Sequence, residues 1–455
     1  MGINSKGDLK PLSLVLMGGA LFSMHFGAAS MVWPMNWGKD AGTEVLLTFA
    51  GVFVTVVLLT LLAYVALFRS GMLFSETSEV VLGQKGGKIF STVVITILCA
   101  LYGVPRMGAA TWDAICQASG YMPSNQLPLI IFSFVFYFLA YLFLSNPSKA
   151  MDRISKWLFP VLIVVVVAII GKGLISPIGE PGAPAFSGNA FAYGFVEGYA
   201  TQEILCALVF GSLILANLKE QGVAEERQSK NIIRVGIVGM GFLTCTHFGN
   251  MIIGASVSEV MPELTYTSLY TAVAFKLLGA IGGSVFIVAI FFAALTTVIG
   301  LGGAAGNFYL AVSNGKISYK AGVRFILFAS AVMASMGLTS MLSWVGPVLY
   351  LIYPPTIVFV LYFTFMPNCL DKRRIKVCRW GMVVALFFGA LDAIVVYMSL
   401  LGATGSVANA ILNLYNALPF SADTMEWVPF SLIAAVLSYF IGGGSKSALE
   451  NTSGN

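Results

Sequence analysis

The sequence is poor in charge. Only 10% of its 455 residues are Asp, Glu, Lys or Arg, whereas a soluble chain carries roughly 25%. That shortage excludes a water-facing surface over most of the chain. Histidine is scarcer still, with two copies, and these and the scattered acids show no metal-ligand spacing. The six cysteines (Cys99, Cys116, Cys206, Cys245, Cys369 and Cys378) form no CxxC pair and no disulfide-like framework. Most sit inside apolar runs, where cysteine behaves as a small hydrophobe. No Walker, Ser/His/Asp or Rossmann pattern is present, so nothing points to ATP coupling or to an enzyme. The net charge of +5 does not indicate nucleic acid, because the basic residues lie in short loops between apolar runs. The first apolar run lacks a convincing small-residue cleavage site and reads as a retained helix.

What the chain has is apolar length. It is 58% hydrophobic with a mean hydropathy of +0.88. Runs of about 20 residues, the length that crosses a bilayer, predict twelve membrane helices. They fall at 11–35, 43–68, 89–119, 127–146, 153–175, 190–217, 231–257, 281–313, 320–338, 340–366, 379–401 and 426–443. The amphipathic stretch 262–280 reads as an extracellular helical loop. With a cytoplasmic N-terminus, every Lys and Arg except Lys39, Arg106, Lys172 and Lys276 falls on the cytoplasmic side. That bias supports an even number of spans and two cytoplasmic termini. The expected organisation is therefore an N-terminus over 1–10, a ten-helix core over 11–366, two further helices over 379–443 and a disordered tail over 444–455.

Two of the runs are interrupted. Met24 to Pro34 holds His25, the small-residue cluster Gly27-Ala28-Ala29-Ser30 and Pro34 in the middle of the first run. Small residues also let membrane helices pack closely without forming a site. The second interruption, Glu197-Gly198-Tyr199-Ala200-Thr201-Gln202-Glu203, lies in the sixth run. Each opens a block of five spans of opposite direction, which predicts an inverted repeat over about 11–176 and 190–366 and a binding site at the midplane. Unwound backbone at membrane depth must be satisfied by protein, water or ligand. The positive end of the second half-helix suits a carboxylate, and carbonyls of the first half suit an ammonium group or sodium. One break thus serves both ends of a zwitterionic amino acid.

Other groups carry conditional readings. Thr296 and Thr297 are inert if they bond their own helix, and candidate sodium ligands if span 8 lies beside the first break. His25, Arg106, Asp113, Glu197, Glu203, His247 and Asp392 lie in or near spans. Each needs a partner or water, since intramembrane charge costs roughly 2.5–3.5 kcal/mol. Arg106 and Asp113 are seven residues apart on one face, as a structural pair or as the lining of an aqueous path. Pro105 predicts a kink in span 3. His25 and Glu203 lie at the two breaks, as proton carriers or as structural support.

The residues resemble those of the bacterial branched-chain amino-acid:cation symporters. Gly27-Ala28-Ala29-Ser30 with Pro34 looks like that family's G-A-G-N…P, and Val104-Pro105-Arg106 like its PR motif. Glu197-Gly198-Tyr199-Ala200-Thr201 with Leu208-Val209-Phe210-Gly211 resembles its G-Y-x-T and L-V-F-G. Leu295-Thr296-Thr297 with Ile299-Gly300-Leu301, and Tyr353-Pro354-Pro355-Thr356-Ile357-Val358, resemble its pieces in spans 8 and 10. The resemblance implies an all-α integral membrane protein of the leucine-transporter type. Its implied task is uptake of leucine, isoleucine and valine across a bacterial inner membrane, usually driven by sodium, with no obligate protein partner. It further implies sodium ligands at Thr296, Thr297, Ala293, Ser23 and Phe26. Backbone at Gly27, Ala28, Ala29 and Ser30 would hold the substrate carboxylate, and Tyr199, Ala200 and Thr201 its ammonium end, with Phe26 and Gln202 also lining the substrate. His25, Arg106, Asp113 and Glu203 would serve coupling or gating. Two departures stand out: Ala29-Ser30 replaces Gly-Asn, and Gln202-Glu203 replaces Met-Asp. The lost Asn, with His25 and Glu203, keeps open a proton-coupled permease for another small neutral amino acid. An ion channel would need a ring-forming filter motif, which is absent. An intramembrane enzyme would need convergent catalytic groups, which are also absent.

Overall fold

The computed structural model describes residues 8–145, 163–220 and 222–441, and among these no strand occurs. Helix α1 (Pro11–His25) opens on a proline at its first turn, where the missing N–H is no loss. It stops at Phe26, whose ψ of 65° leaves the helix. Gly27 is extended, and α2 (Ala28–Ala41) begins anew. A rod follows from α3 (Val45–Val52) through a π-turn at Phe53–Leu58 to α4 (Leu59–Ser70). The next rod runs from α5 (Phe74–Thr96) through a π-turn at Ile97–Tyr102 to α6 (Pro105–Ser119). Pro105 has no N–H to give, and Gly103 N reaches back five residues to Leu98 O at 2.9 Å, so the irregularity spans that position. Then come α7 (Leu127–Ser145) and α8 (Ile163–Ile175).

The second interrupted span is α9 (Ala190–Glu197), a 3-10 turn at Gly198–Thr201, and α10 (Glu203–Glu220). It is followed by α11 (Glu225–Ser256) and the long α12 (Tyr266–Val312). Helices α13 (Tyr319–Ala334) and α14 (Leu338–Val345) meet at 111°. The chain closes with α15 (Pro347–Phe365), α16 (Lys372–Leu400), α17 (Ser406–Asn416) and α18 (Trp427–Ile441). Seven helices among the described residues are long and apolar enough to span a bilayer, or eight if the bent pair counts as one. Large apolar side chains such as Phe138, Phe328, Phe365 and Phe387 point outward, as lipid as a solvent requires.

Several expected boundaries shift. The stretch 262–280 is helical from Tyr266, breaks at Gly279 (φ 69°) and buries Leu269, Tyr270 and Val273 against the core. The tenth predicted span, 340–366, is divided at Gly346. The third begins at Phe74, ahead of the predicted 89, with Gly83 (φ 79°) as a kink. Helix α17 lies where no element was expected. Lys6, the basic cluster Lys149, Arg153 and Lys156, the first part of the predicted span 153–175 and the tail 444–455 lie outside the described residues.

Helices in lipid lack a hydrophobic drive toward one another, so backbone approach matters. A Cβ on Gly254 of α11 would overlap the Met35 carbonyl oxygen and lie 2.9 Å from Lys39 N of α2. Gly51 of α3 and Gly194 of α9 meet in the same way. Both interrupted spans are therefore locked to neighbours by backbone contact. Gly254→Ala is expected to destabilise by about 1–3 kcal/mol through overpacking. A lower melting temperature in detergent would show it, with Gly241→Ala as the control because its Cβ would meet nothing within 4 Å.

Candidate functional site

At the first break, Phe26 N donates to Phe22 O (2.7 Å), while Gly27 N donates to His25 O (2.9 Å). In a continuous helix Gly27 N would serve Ser23 O. The break turns that donor away from Ser23 O and onto His25 O. Gly27 also touches α12, because a Cβ there would lie 2.8 Å from Thr297 Oγ1. Span 8 therefore lies beside the first break, which is the condition that makes the threonine pair relevant. Both hydroxyls donate to Ala293 O, Thr296 at 3.0 Å and Thr297 at 2.9 Å. Donation leaves each oxygen its lone pairs. Gly27→Val is expected to push α12 off the break, and a lower melting temperature in detergent measures this.

At the second break, Gln202 takes the left-handed conformation (φ 62°) that ends the 3-10 turn. Gln202 N donates to Tyr199 O (3.0 Å) and Thr201 Oγ1 to Gly198 O (3.1 Å). The two remaining carbonyls, Ala200 O and Thr201 O, both accept from the Arg106 guanidinium, the second at 3.0 Å. That guanidinium lies over the rings of Trp33 (5.2 Å) and Tyr102 (5.1 Å). One side chain of span 3 thus ties both breaks together. Arg106 does not form the expected pair with Asp113, since no ion pair joins them. Its planar fork instead reaches the two freed carbonyls of the second break bidentately. Gln202 points at span 3, with its Oε1 2.7 Å from where a Gly103 Cβ would be. It is fully buried, neither amide atom has a hydrogen-bond partner, and it lines neither cavity described below.

Glu203 opens α10 and is the hub between the breaks. Its carboxylate accepts from Ser30 Oγ and contacts His25 Nδ1, while His25 Nε2 pairs with Tyr64 Oη at 2.5 Å. All four residues are buried. One tautomer satisfies the chain, with Nδ1–H donating to Glu203 and Nε2 accepting from Tyr64. The two departures from the family pattern therefore touch: a shortened Ser30 meets a lengthened Glu203. Beneath the second break, Tyr199 stacks on Tyr353 with centroids 4.4 Å apart, which accounts for the aromatic piece in span 10.

Two cavities flank this arrangement. One of about 20 Å³ is bounded by Gly27, Ser30, Arg106, Thr201, Glu203 and Thr297, with an apolar wall of Met24, Leu98, Met107, Phe210 and Leu301. The other, about 260 Å³, is lined by Trp33, Tyr102, Glu197, Tyr199 and Tyr350 among others. Arg106 borders the small cavity, and the two rings it lies over border the large one.

Residues 11–444 match the family described as branched-chain amino acid transport protein. The chain belongs to that family. It is 29% identical over 446 residues to the branched-chain amino acid permease BraB of Bacillus subtilis, covering 96% of this chain and 97% of that one. Identity is 27% over 448 residues to the branched-chain amino acid transport system 2 carrier protein of Pseudomonas aeruginosa, covering 97% and 99%. Among solved structures, the inward-facing form of Mhp1, a nucleobase-cation-symport-1 family transporter, matches with a TM-score of 0.59. Identity there is 14%, over 97% of this chain and 94% of that one. That likeness shows the fold alone, a leucine-transporter-type helical bundle. As a member of the branched-chain family the protein is a multi-pass membrane transporter and not an enzyme. Trp33, Tyr64, Tyr102 and Gly103 take part in the site without having been singled out in the sequence, where ordinary apolar surroundings conceal them.

Proposed function

We propose that the protein takes up leucine, isoleucine and valine across the bacterial inner membrane by alternating access, coupled to sodium. The observation that carries this reading is the apposition of Gly27, at the first break, and Thr297 of α12. Carbonyls of Ser23, Phe26 and Ala293 and hydroxyls of Thr296 and Thr297 are neutral hard oxygens, the donor type sodium needs, and they fit such an ion. The N–H groups of Ala28, Ala29 and Ser30 at the start of α2 suit the substrate carboxylate. The Met- and Leu-lined wall of the small cavity suits a branched aliphatic side chain. A space of about 20 Å³ holds little more than a water, so the helices must part to admit substrate. In this reading spans 1, 2, 6 and 7 (α1–α4 and α9–α11) rock against the rest. Twelve spans, cytoplasmic termini and the inverted repeat belong to the same proposal.

The Glu203–His25–Tyr64 chain favours a second reading, in which protons replace sodium. Labelled leucine uptake into proteoliposomes under an inward sodium gradient or an inward proton gradient separates the two. Accumulation is expected with sodium. Accumulation with protons alone supports the second reading, and no amino-acid uptake under either gradient sinks both.

A further inference from the structure

The second break was the expected seat of the substrate's ammonium group, yet its carbonyls are already in use. Gln202 N holds Tyr199 O, and Arg106 holds Ala200 O and Thr201 O. A second cation placed on those two carbonyls would have to displace a buried guanidinium packed against Trp33 and Tyr102. The small cavity has one carboxylate on its wall, Glu203. That carboxylate is oriented from two sides by Ser30 and His25, and His25 is itself held by Tyr64. A carboxylate has roughly four acceptor sites, and Ser30 and His25 use two of them, which leaves capacity for a further donor. The cavity, at about 20 Å³, is the size of an ammonium head. Arg106 also borders it, but its guanidinium is engaged by Ala200 O and Thr201 O, and Met24, Leu98, Met107, Phe210 and Leu301 give the apolar wall that the carbon skeleton of a leucine or valine requires.

We infer that the Glu203 carboxylate receives the α-ammonium group of the substrate, with Ser30 and His25 as positioning residues that aim it. Arg106 is then the resident cation of the second break, and the substrate's positive end is passed to the neighbouring acid. This rests on the amino-acid transport reading above. Its consequence is selectivity: the site discriminates by the amine, so an analogue with a hydroxyl in place of that amine leaves Glu203 facing a neutral group. Losing a charge-assisted hydrogen bond to a buried acid corresponds to about 10- to 100-fold in affinity.

The test is binding of leucine and of 2-hydroxy-4-methylpentanoate to purified full-length protein in detergent, read by ligand-dependent thermal shift at saturating sodium. Wild-type protein is expected to prefer leucine by about 10- to 100-fold. Glu203→Gln should weaken leucine by a similar factor and leave the hydroxy acid within about threefold, so that the preference collapses. Ser30→Ala should lower the preference by only a few-fold, and Glu203→Asp should retain it at reduced affinity. Both variants keep the acid and guard against a Glu203→Gln protein that does not fold. A parallel loss of both ligands in Glu203→Gln, an unchanged preference, or a preference fully restored by more sodium each overturns the inference, while leucine binding by the wild type still stands. Wild-type protein that binds no α-amino acid overturns the transport reading itself, and this inference with it.

Discussion

Replacing Thr296 and Thr297 together by alanine is expected to raise the sodium concentration for half-maximal leucine uptake by at least about 10-fold. The scale follows from metal sites, where altering even an outer partner of a ligand costs roughly 10- to 100-fold in affinity. The fold should tolerate the change. Each hydroxyl donates only to Ala293 O within its own helix, and alanine is the better helix former. Sodium-dependent uptake and a melting curve on the same preparation separate the two effects. Thr297→Ser keeps the oxygen and should remain close to wild type. Unchanged sodium dependence in the double variant removes the proposed ion site.

Arg106 should be the most sensitive position of all. Its guanidinium satisfies two carbonyls of the second break and lies against two aromatic rings. Lysine has no planar fork to do both, so Arg106→Lys is expected to reduce leucine uptake by about 100-fold or more. Each carbonyl left buried and unpaired costs about 1–3 kcal/mol, and the break around Gly198–Thr201 should loosen. Faster amide hydrogen exchange across that turn would report the loosening directly. Asp113→Asn, by contrast, should leave uptake within about twofold, because no ion pair links Asp113 to Arg106 and the carboxylate lines neither cavity. Full transport by Arg106→Lys, or an Asp113→Asn loss as deep as that of Arg106→Lys, contradicts this assignment.

The contrast between Arg106 and Gly27 shows what a sequence carries. The first break is local: small residues, a histidine and Pro34 within one apolar run announce it, and α1 and α2 part at Phe26 and Gly27. The second break is local for the same reason. The partners of Arg106 are not local. Spacing along one helix suggested Asp113 at seven residues, whereas the guanidinium reaches carbonyls 94 and 95 residues away. His25 and Glu203 are separated by 178 residues, and no periodicity links them. Gln202 resembled a substrate-facing residue because it stands in a broken helix. Its left-handed backbone turns it instead toward Gly103. Helix α17 escaped notice because its run is short and amphipathic, and the division at Gly346 because the flanking residues are continuous in hydropathy.

The central claim is that substrate and sodium occupy adjoining positions at the first break and bind cooperatively. Equilibrium binding tests it most directly, by measuring the leucine dissociation constant across sodium concentrations and the sodium constant across leucine concentrations. Linkage requires the two coupling factors to be equal. The prediction is a common factor of roughly 5- to 150-fold, lost in the Thr296→Ala/Thr297→Ala protein. Leucine affinity indifferent to sodium would contradict the account.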